Sequence, residues 1–242
     1  TIEEQIQPSP ETDIYEIYGK HVVPGYVAGF TRIGLTEISA VKQTNDHSET
    51  GDINPNTRAN VAYNPDSDLI PVTRSNGIMI VNSVPSSGRV PGQSSVMMLD
   101  GWTWEDATLK HPAALNINWP RMYFDYGKNT KKDEKKQRDE YHEKIRELDK
   151  LILNVRAYHH RKNAKERKAE NKQQSDLRLE AMIPFIIYSE PIHIKANDIR
   201  QIEAAVKWAK KENLNIVIVG GRDSWINPKL LVDNNVPIIL LG

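Results

Sequence analysis

The stretch Pro191–Leu241 constrains this chain more than any other. It reads PIHIKA, NDIRQIEAAVKWAKKENLN, IVIVGG, RDSWINPKLLVDNN and VPIILLG in turn. Three short β-branched runs alternate with two helical patterns, which predicts β-α-β-α-β with parallel strands. Ile199, Ile202, Val206 and Ala209 recur at steps of three or four and give the first helix one apolar stripe. Asn197 is placed to cap it, with Asp198 an acid in its first turn. Pro228 suits the first turn of the second helix, where its missing N–H costs little. Parallel strands that are apolar almost throughout need helices on their outer faces. The alternatives are therefore a doubly wound sheet or a (β/α)8 barrel.

Composition narrows the function classes. The 242 residues can bury a real core. With 32 Lys+Arg against 32 Asp+Glu, the overall charge gives no argument for nucleic acid or a membrane surface. No apolar run is long enough for a membrane span, and Thr1 opens a polar stretch without an apolar signal-peptide core, so a leader is not expected in these residues. The absence of cysteine excludes disulfides, thiolate zinc sites and cysteine nucleophiles, and does not choose a compartment.

Before that stretch the pattern is looser. A polar lead-in precedes the apolar run Tyr26–Phe30, which follows a Pro-Gly turn and reads as the first barrel strand. Thr36–Asn64 is a long polar stretch, of the kind that is either functional or partly disordered. Asp66–Asn76 reads as a short helix closed by Gly77, followed by a strand at Ile78–Val81. The Ser83–Gly92 loop could cradle an anion through backbone N–H groups, but it has neither a Walker lysine nor a GxGxxG pattern. Ser94–Leu99 is strand-like, Trp104–Lys110 reads as a helix and Ala114–Asn118 as a strand. Trp102, Trp104 and Trp119 read as packing residues, with an aromatic wall over a site mouth as the alternative. Tyr141, Ile145, Leu148, Ile152 and Val155 repeat at 4-3-4-3 and mark an amphipathic stripe on a long charged helix expected near 131–182. The basic run after Tyr158 reads as a solvated face, and His159 and His160 point about 100° apart on a helix, unsuited to chelating one metal.

Several stretches together resemble the imidazolonepropionase-like branch of the amidohydrolase superfamily. They are HVVPGYVAGFTRIGLTEI, NPDSDLIPVTRSNG, LDGWTWEDATLKHPAALNINWPRM, DLRLEAMIP, and PIHIKANDIRQIEAA with IVIVGGRDSW. The resemblance implies a (β/α)8 TIM-barrel-type fold and a hydrolase acting on non-peptide C–N bonds, of the cyclic amide type. Such an enzyme uses a divalent metal such as zinc to lower the pKa of bound water and polarise the carbonyl. The family's first strand ends in a His-x-His pair, whose two imidazoles point to one side of the strand. Phe30 and Arg32 occupy those positions here, and Lys195 stands where the family has a further ligand histidine. His193 lies two residues earlier on the same strand face, and the glycines of GGRDSW match a version seen in this branch. As read, the chain supplies no metal-ligand set.

Strands at Tyr26, Ile78, Ala114, Ile192, Ile216 and Pro237 give about six of the eight βα units of a closed barrel. The expected organisation is residues 1–20 as a lead-in or remnant of a small β-domain, and 21–242 as a partial barrel. A homo-oligomer or the remainder of a longer chain would complete it. Two functions remain open. One is the C–N hydrolase, with Lys195 and His193 as candidate catalytic groups and Arg32, Asn118, Asn197 and Arg222 as substrate-binding groups at the C-terminal rim. The other is an inactive relative that binds a small molecule or serves as a scaffolding subunit. Nucleic acid is not an expected partner. A periplasmic or secreted location is suggested only by the resemblance.

Overall fold

The computed structural model describes residues 9–122, 133–166 and 175–241. Seven strands form one sheet in chain order: β1 (Tyr26–Thr31), β2 (Ile78–Ser83), β3 (Gly92–Met98), β4 (Thr108–Asn118), β5 (Ile192–Ala196), β6 (Ile216–Gly220) and β7 (Ile238–Leu240). β1 pairs with β2 in parallel, β3 runs antiparallel to both β2 and β4, and β4 through β7 are parallel. The sheet is nearly closed on itself. A Cβ built on Gly29 of β1 would lie 3.6 Å from Ile239 of β7. The alternation read from Pro191–Leu241 is present as expected; the sheet has seven strands where six were counted, because β3 joins it as an antiparallel member.

Helices cover the outer face. α1 (Leu69–Ser75) and α2 (Trp104–Ala107) pack near β2 and β3, while α3 (Glu134–Glu166), α4 (Leu177–Ile186) and α5 (Ile199–Glu212) cover β4–β6, and α6 (Pro228–Asp233) precedes β7. The 4-3-4-3 stripe of α3 puts Leu148, Ile152 and Val155 into the main core, joined by Tyr158. The charged region expected near 131–182 is not one helix: α3 ends at Glu166 and α4 starts at Leu177, where Asp176 accepts from the backbone N–H groups of Arg178 and Leu179. Part of the basic run, and the lead-in up to residue 8, lie outside the described residues. Trp208 donates to Asp149 at 2.8 Å and Arg156 pairs with Glu212 at 2.7 Å, which ties α5 to α3. No helix among the described residues is long and apolar enough to cross a membrane.

Two local expectations are corrected. Trp104–Lys110 is helical only to Ala107, and Thr108–Lys110 begin β4, since the helix-favouring WEDA segment is overridden by pairing of Thr108 and Lys110 with Met97 and Val96. The cap of α5 is Asp198 rather than Asn197. Its carboxylate accepts from Arg200 N–H, and Gln201 Oε1 reaches back to the N–H groups of Asn197 and Asp198, a capping box. The Thr36–Asn64 stretch is tied down along its length. Asn45 Nδ2 donates to the carbonyl of Val41 (2.8 Å), and Ser67 Oγ donates to Glu37 at 2.8 Å.

Arg89 holds this stretch and the 84–91 loop against α3. Its side chain is 9% exposed and bridges the carboxylates of Asp52 and Glu147, while Nη1 also donates to Lys144 O at 3.1 Å. The Arg89 N–H donates to Asp52 Oδ1 at 2.9 Å. Both acids are about half exposed, so water recovers part of their charge when the guanidinium is removed. Arg89→Ala is expected to lose about 2–3 kcal/mol in urea unfolding. An unchanged unfolding midpoint would show that these contacts contribute nothing.

Candidate functional site

Alternation along three strands decides what lines the barrel. Leu115 and Ile117 of β4, Ile192, Ile194 and Ala196 of β5, and Ile216 and Ile218 of β6 are buried in the core under the helices. Successive side chains on a strand point to opposite faces. Asn116 and Asn118, His193 and Lys195, and Val217 and Val219 therefore face the barrel interior. Register sets Asn116, His193 and Val217 side by side, and Asn118, Lys195 and Val219 one layer nearer the C-terminal mouth.

The deeper layer is buried and incompletely paired. Asn116 is 4% exposed; its Nδ2 donates to Gly92 O at 3.0 Å, and its Oδ1 has no partner among the described residues. His193 is 8% exposed, and its Nδ1 likewise has no partner among the described residues. Burial pushes the imidazole pKa down to about 4, so it is neutral at pH 7.

In the mouth layer Lys195 is half-buried, with no hydrogen bond or ion pair from its ammonium among the described residues. Asn118 Nδ2 donates to Gly88 O at 2.6 Å and to Ser86 O at 3.4 Å, so this group fixes the 84–91 loop beside the mouth. Beyond β5 and β6 the backbone is stitched across: Gly221 N–H donates to Ala196 O at 2.8 Å, and Asp223 N–H to Asn197 O at 3.0 Å. Gly220 has φ +96°, and a Cβ there would sit 2.3 Å from Asn197 Oδ1. Only glycine permits that approach. Arg222 is exposed and its Nε donates to Asp223 at 3.2 Å.

Of the residues expected at the site, Lys195, His193 and Asn118 come together on the inner face, and Asn197 joins the turn that carries Arg222. Arg32 is exposed and lies beside His47, whose pKa is lowered by burial first and by the Arg32 charge second. Asn116 was missed. Its signal was available: in ALNIN it shares the parity of Asn118, opposite to the apolar positions.

The divalent metal does not fit these residues. Phe30, Arg32 and Lys195 offer no lone pair to a cation, and among the described residues no group of three or more His, Cys, Asp or Glu side chains could hold one. A Ser–His contact elsewhere is structural. Arg58 Nε donates to His111 Nε2 at 3.1 Å, which places the imidazole proton on Nδ1, facing Ser95 Oγ at 2.8 Å. Ser95 Oγ also accepts from Asn60 N–H, so no base is free to take the serine proton.

Among solved structures, this chain is similar to an amidohydrolase from Thermotoga maritima MSB8, with a TM-score of 0.84 and 22% identity over 100% of this chain. The fold is amidohydrolase-like. The chain spans 62% of that protein's length. No family model matches the sequence, and no curated protein does.

The buried imidazole gives a pH test. Unfolded, His193 has the ordinary pKa of 6.5; folded, it takes a proton only near pH 4. Between these values the unfolded chain binds the extra proton, so stability contributed by neutral His193 is full above pH 6.5 and is lost as pH falls toward 4. The loss amounts to about 3 kcal/mol. His111, also lowered to about 4, first by burial and then by Arg58, acts in the same window and direction. His193→Leu is expected to flatten the fall of melting temperature between pH 7 and pH 4.5; an identical slope in the variant would refute the assignment.

Proposed function

We propose that this chain is the barrel portion of an imidazolonepropionase-like amidohydrolase relative that binds a small anionic molecule at its C-terminal mouth, without a divalent metal. The observation that carries this reading is the half-buried Lys195 ammonium with no counter-charge among the described residues. A cation held in that position lacks part of its hydration and is stabilised by an incoming carboxylate or similar anion. One layer below, the buried and unpartnered Asn116 Oδ1 and His193 Nδ1 make the floor of the mouth polar. Arg32, Asn197 and Arg222 supply additional rim contacts, and Asn118 positions the loop beside them.

A C–N hydrolase of the cyclic amide type is the second reading, favoured by the amidohydrolase-like fold. Without a metal, Lys195 or His193 would have to take the proton as water adds to the amide carbonyl and return it to the nitrogen as the C–N bond breaks. An imidazole whose pKa is about 4 is a weak base at pH 7. That property supports binding over turnover.

The partial barrel, residues 21–242 with the preceding residues a lead-in or remnant of a β-domain, is completed toward (β/α)8 by the remainder of a longer chain or by a second copy. The support is that the chain spans 62% of the length of the amidohydrolase it is similar to.

Small dicarboxylates are expected to raise the melting temperature of the protein in a saturable manner, and Lys195→Ala to abolish the shift. Zinc added at equimolar concentration is expected to leave both the metal content of the re-purified protein and that shift unchanged. Stoichiometric bound metal together with turnover of a cyclic amide would replace this reading with the hydrolase.

A further inference from the structure

A single side chain joins the two strands that border Lys195. Gln201 lies in the first turn of α5 and is 7% exposed. Its Oε1 accepts from the N–H groups of Asn197 at 3.3 Å and Asp198 at 3.2 Å, in the turn that follows Lys195 and Ala196. Its Nε2 donates to Pro120 O at 3.0 Å and to Trp119 O at 3.4 Å, just past the end of β4. Only one orientation of the amide matches two N–H groups and two carbonyls together. Capping α5 uses the acceptor half alone. The donor half reaches a different strand, and both carbonyls belong to buried residues, where no water replaces a lost donor. The strands themselves meet at the same level, where Trp119 N–H donates to Lys195 O at 3.1 Å. The Trp119 ring also packs edge-on against Trp208 of α5, with centroids 5.4 Å apart.

We propose that Gln201 is a positioning residue for the barrel mouth. It fixes the gap between the ends of β4 and β5, and with it the place from which Lys195 presents its ammonium; as a statement about ligand binding, this rests on the anion-binding reading above. Gly221 N–H already holds the turn after Lys195 from the β6 side, through Ala196 O. Gln201 closes the β4 side, so the backbone that carries Lys195 is tied to both neighbours. Without the donor half, Trp119 O and Pro120 O draw water into the gap to satisfy themselves. Water beside a half-buried ammonium restores its hydration, and a hydrated ammonium holds an anion less tightly. Asn118 stands on the same rung as Lys195, so the spacing that Gln201 sets also places the side chain that anchors the 84–91 loop.

Two variants of the full chain separate this role from capping and from general stability. Gln201→Glu keeps an acceptor for the cap but turns the donor into an oxygen facing two carbonyls. In NMR-detected hydrogen exchange, its Trp119 N–H is expected to exchange about tenfold faster relative to Val206 in the middle of α5. A side chain that only caps α5, or only adds stability, leaves that ratio unchanged. Gln201→Met removes the donor without adding charge, and it supplies the exchange measurement as well should Gln201→Glu fail to fold. In calorimetric titration it is expected to bind sodium succinate about tenfold more weakly than the unsubstituted chain. An unchanged exchange ratio, or equal succinate affinity in Gln201→Met, overturns the proposal. If the unsubstituted chain does not bind succinate, the anion-binding reading falls by itself, and the exchange ratio decides for or against Gln201 as the tie between β4 and β5.

Discussion

Two-residue alternation along β4, β5 and β6 is the constraint on which the rest of the structure depends. The outward set, Leu115, Ile117, Ile192, Ile194, Ile216 and Ile218, is sealed under α3, α4 and α5. A slip of one residue would move that whole set inside and put Asn116, His193 and Lys195 against the helices, where an ammonium and two polar side chains would lose their hydration. Register is therefore fixed by the outer core, and the inner face is free to carry chemistry. That freedom has a cost. Each buried polar atom without a partner costs about 1–3 kcal/mol, and Asn116 Oδ1 and His193 Nδ1 both stand in that state on adjacent strands. A group that supplied partners to both would recover that energy on binding.

The mouth is held rigid from outside the sheet. Arg89 joins Asp52 to Glu147 of α3, and the same loop is fixed from the other side by Asn118, whose amide spans Ser86 O and Gly88 O. Two polar anchors on opposite sides of one short loop leave it little freedom to open over the barrel. Lys195 sits on the rung beside Asn118, so the side chain that fixes the loop also borders the unpaired charge. Packing and site share residues here, and substitutions at Asn118 would disturb both.

The stretch after Pro191 was legible because the levels agreed there: β-branched strands, a striped helix, and proline in the first turn of α6, with the cap of α5 displaced by one residue from the expected Asn197. β3 was harder to place. Its Gly-Gln-Ser-Ser opening buries small polar residues on both faces, so it shows neither the alternation of a half-buried strand nor the apolar run of a parallel one. The start of β4 was hidden by helix-favouring residues that pairing with β3 overrides. At the site, Lys195 was singled out by the position of a ligand histidine in the resembled family, and strand parity then put His193 on the same face. Arg32 lies beyond the end of β1, where parity no longer fixes direction, and its neighbour His47 is brought to it by a loop whose path depends on Asn45, Thr44 and Glu37. Such a path is a set of tertiary hydrogen bonds and leaves no periodic trace in the sequence.

The departures at Phe30, Arg32 and Lys195 have a common electrostatic sense. An imidazole offers a lone pair to a cation, whereas a phenyl ring offers none in its plane and a guanidinium or ammonium repels one. Losing a single donor would weaken a metal site; on the proposed reading, the Lys195 ammonium at one of these positions turns the mouth toward anions. The neutral His193 beneath is consistent with that reversal, since its burial already excludes a second positive charge beside Lys195. On the proposed reading, a mouth that attracts anions therefore needs a neutral imidazole beneath the Lys195 ammonium, and burial, which pushes His193 down to about 4, provides that state across the physiological range.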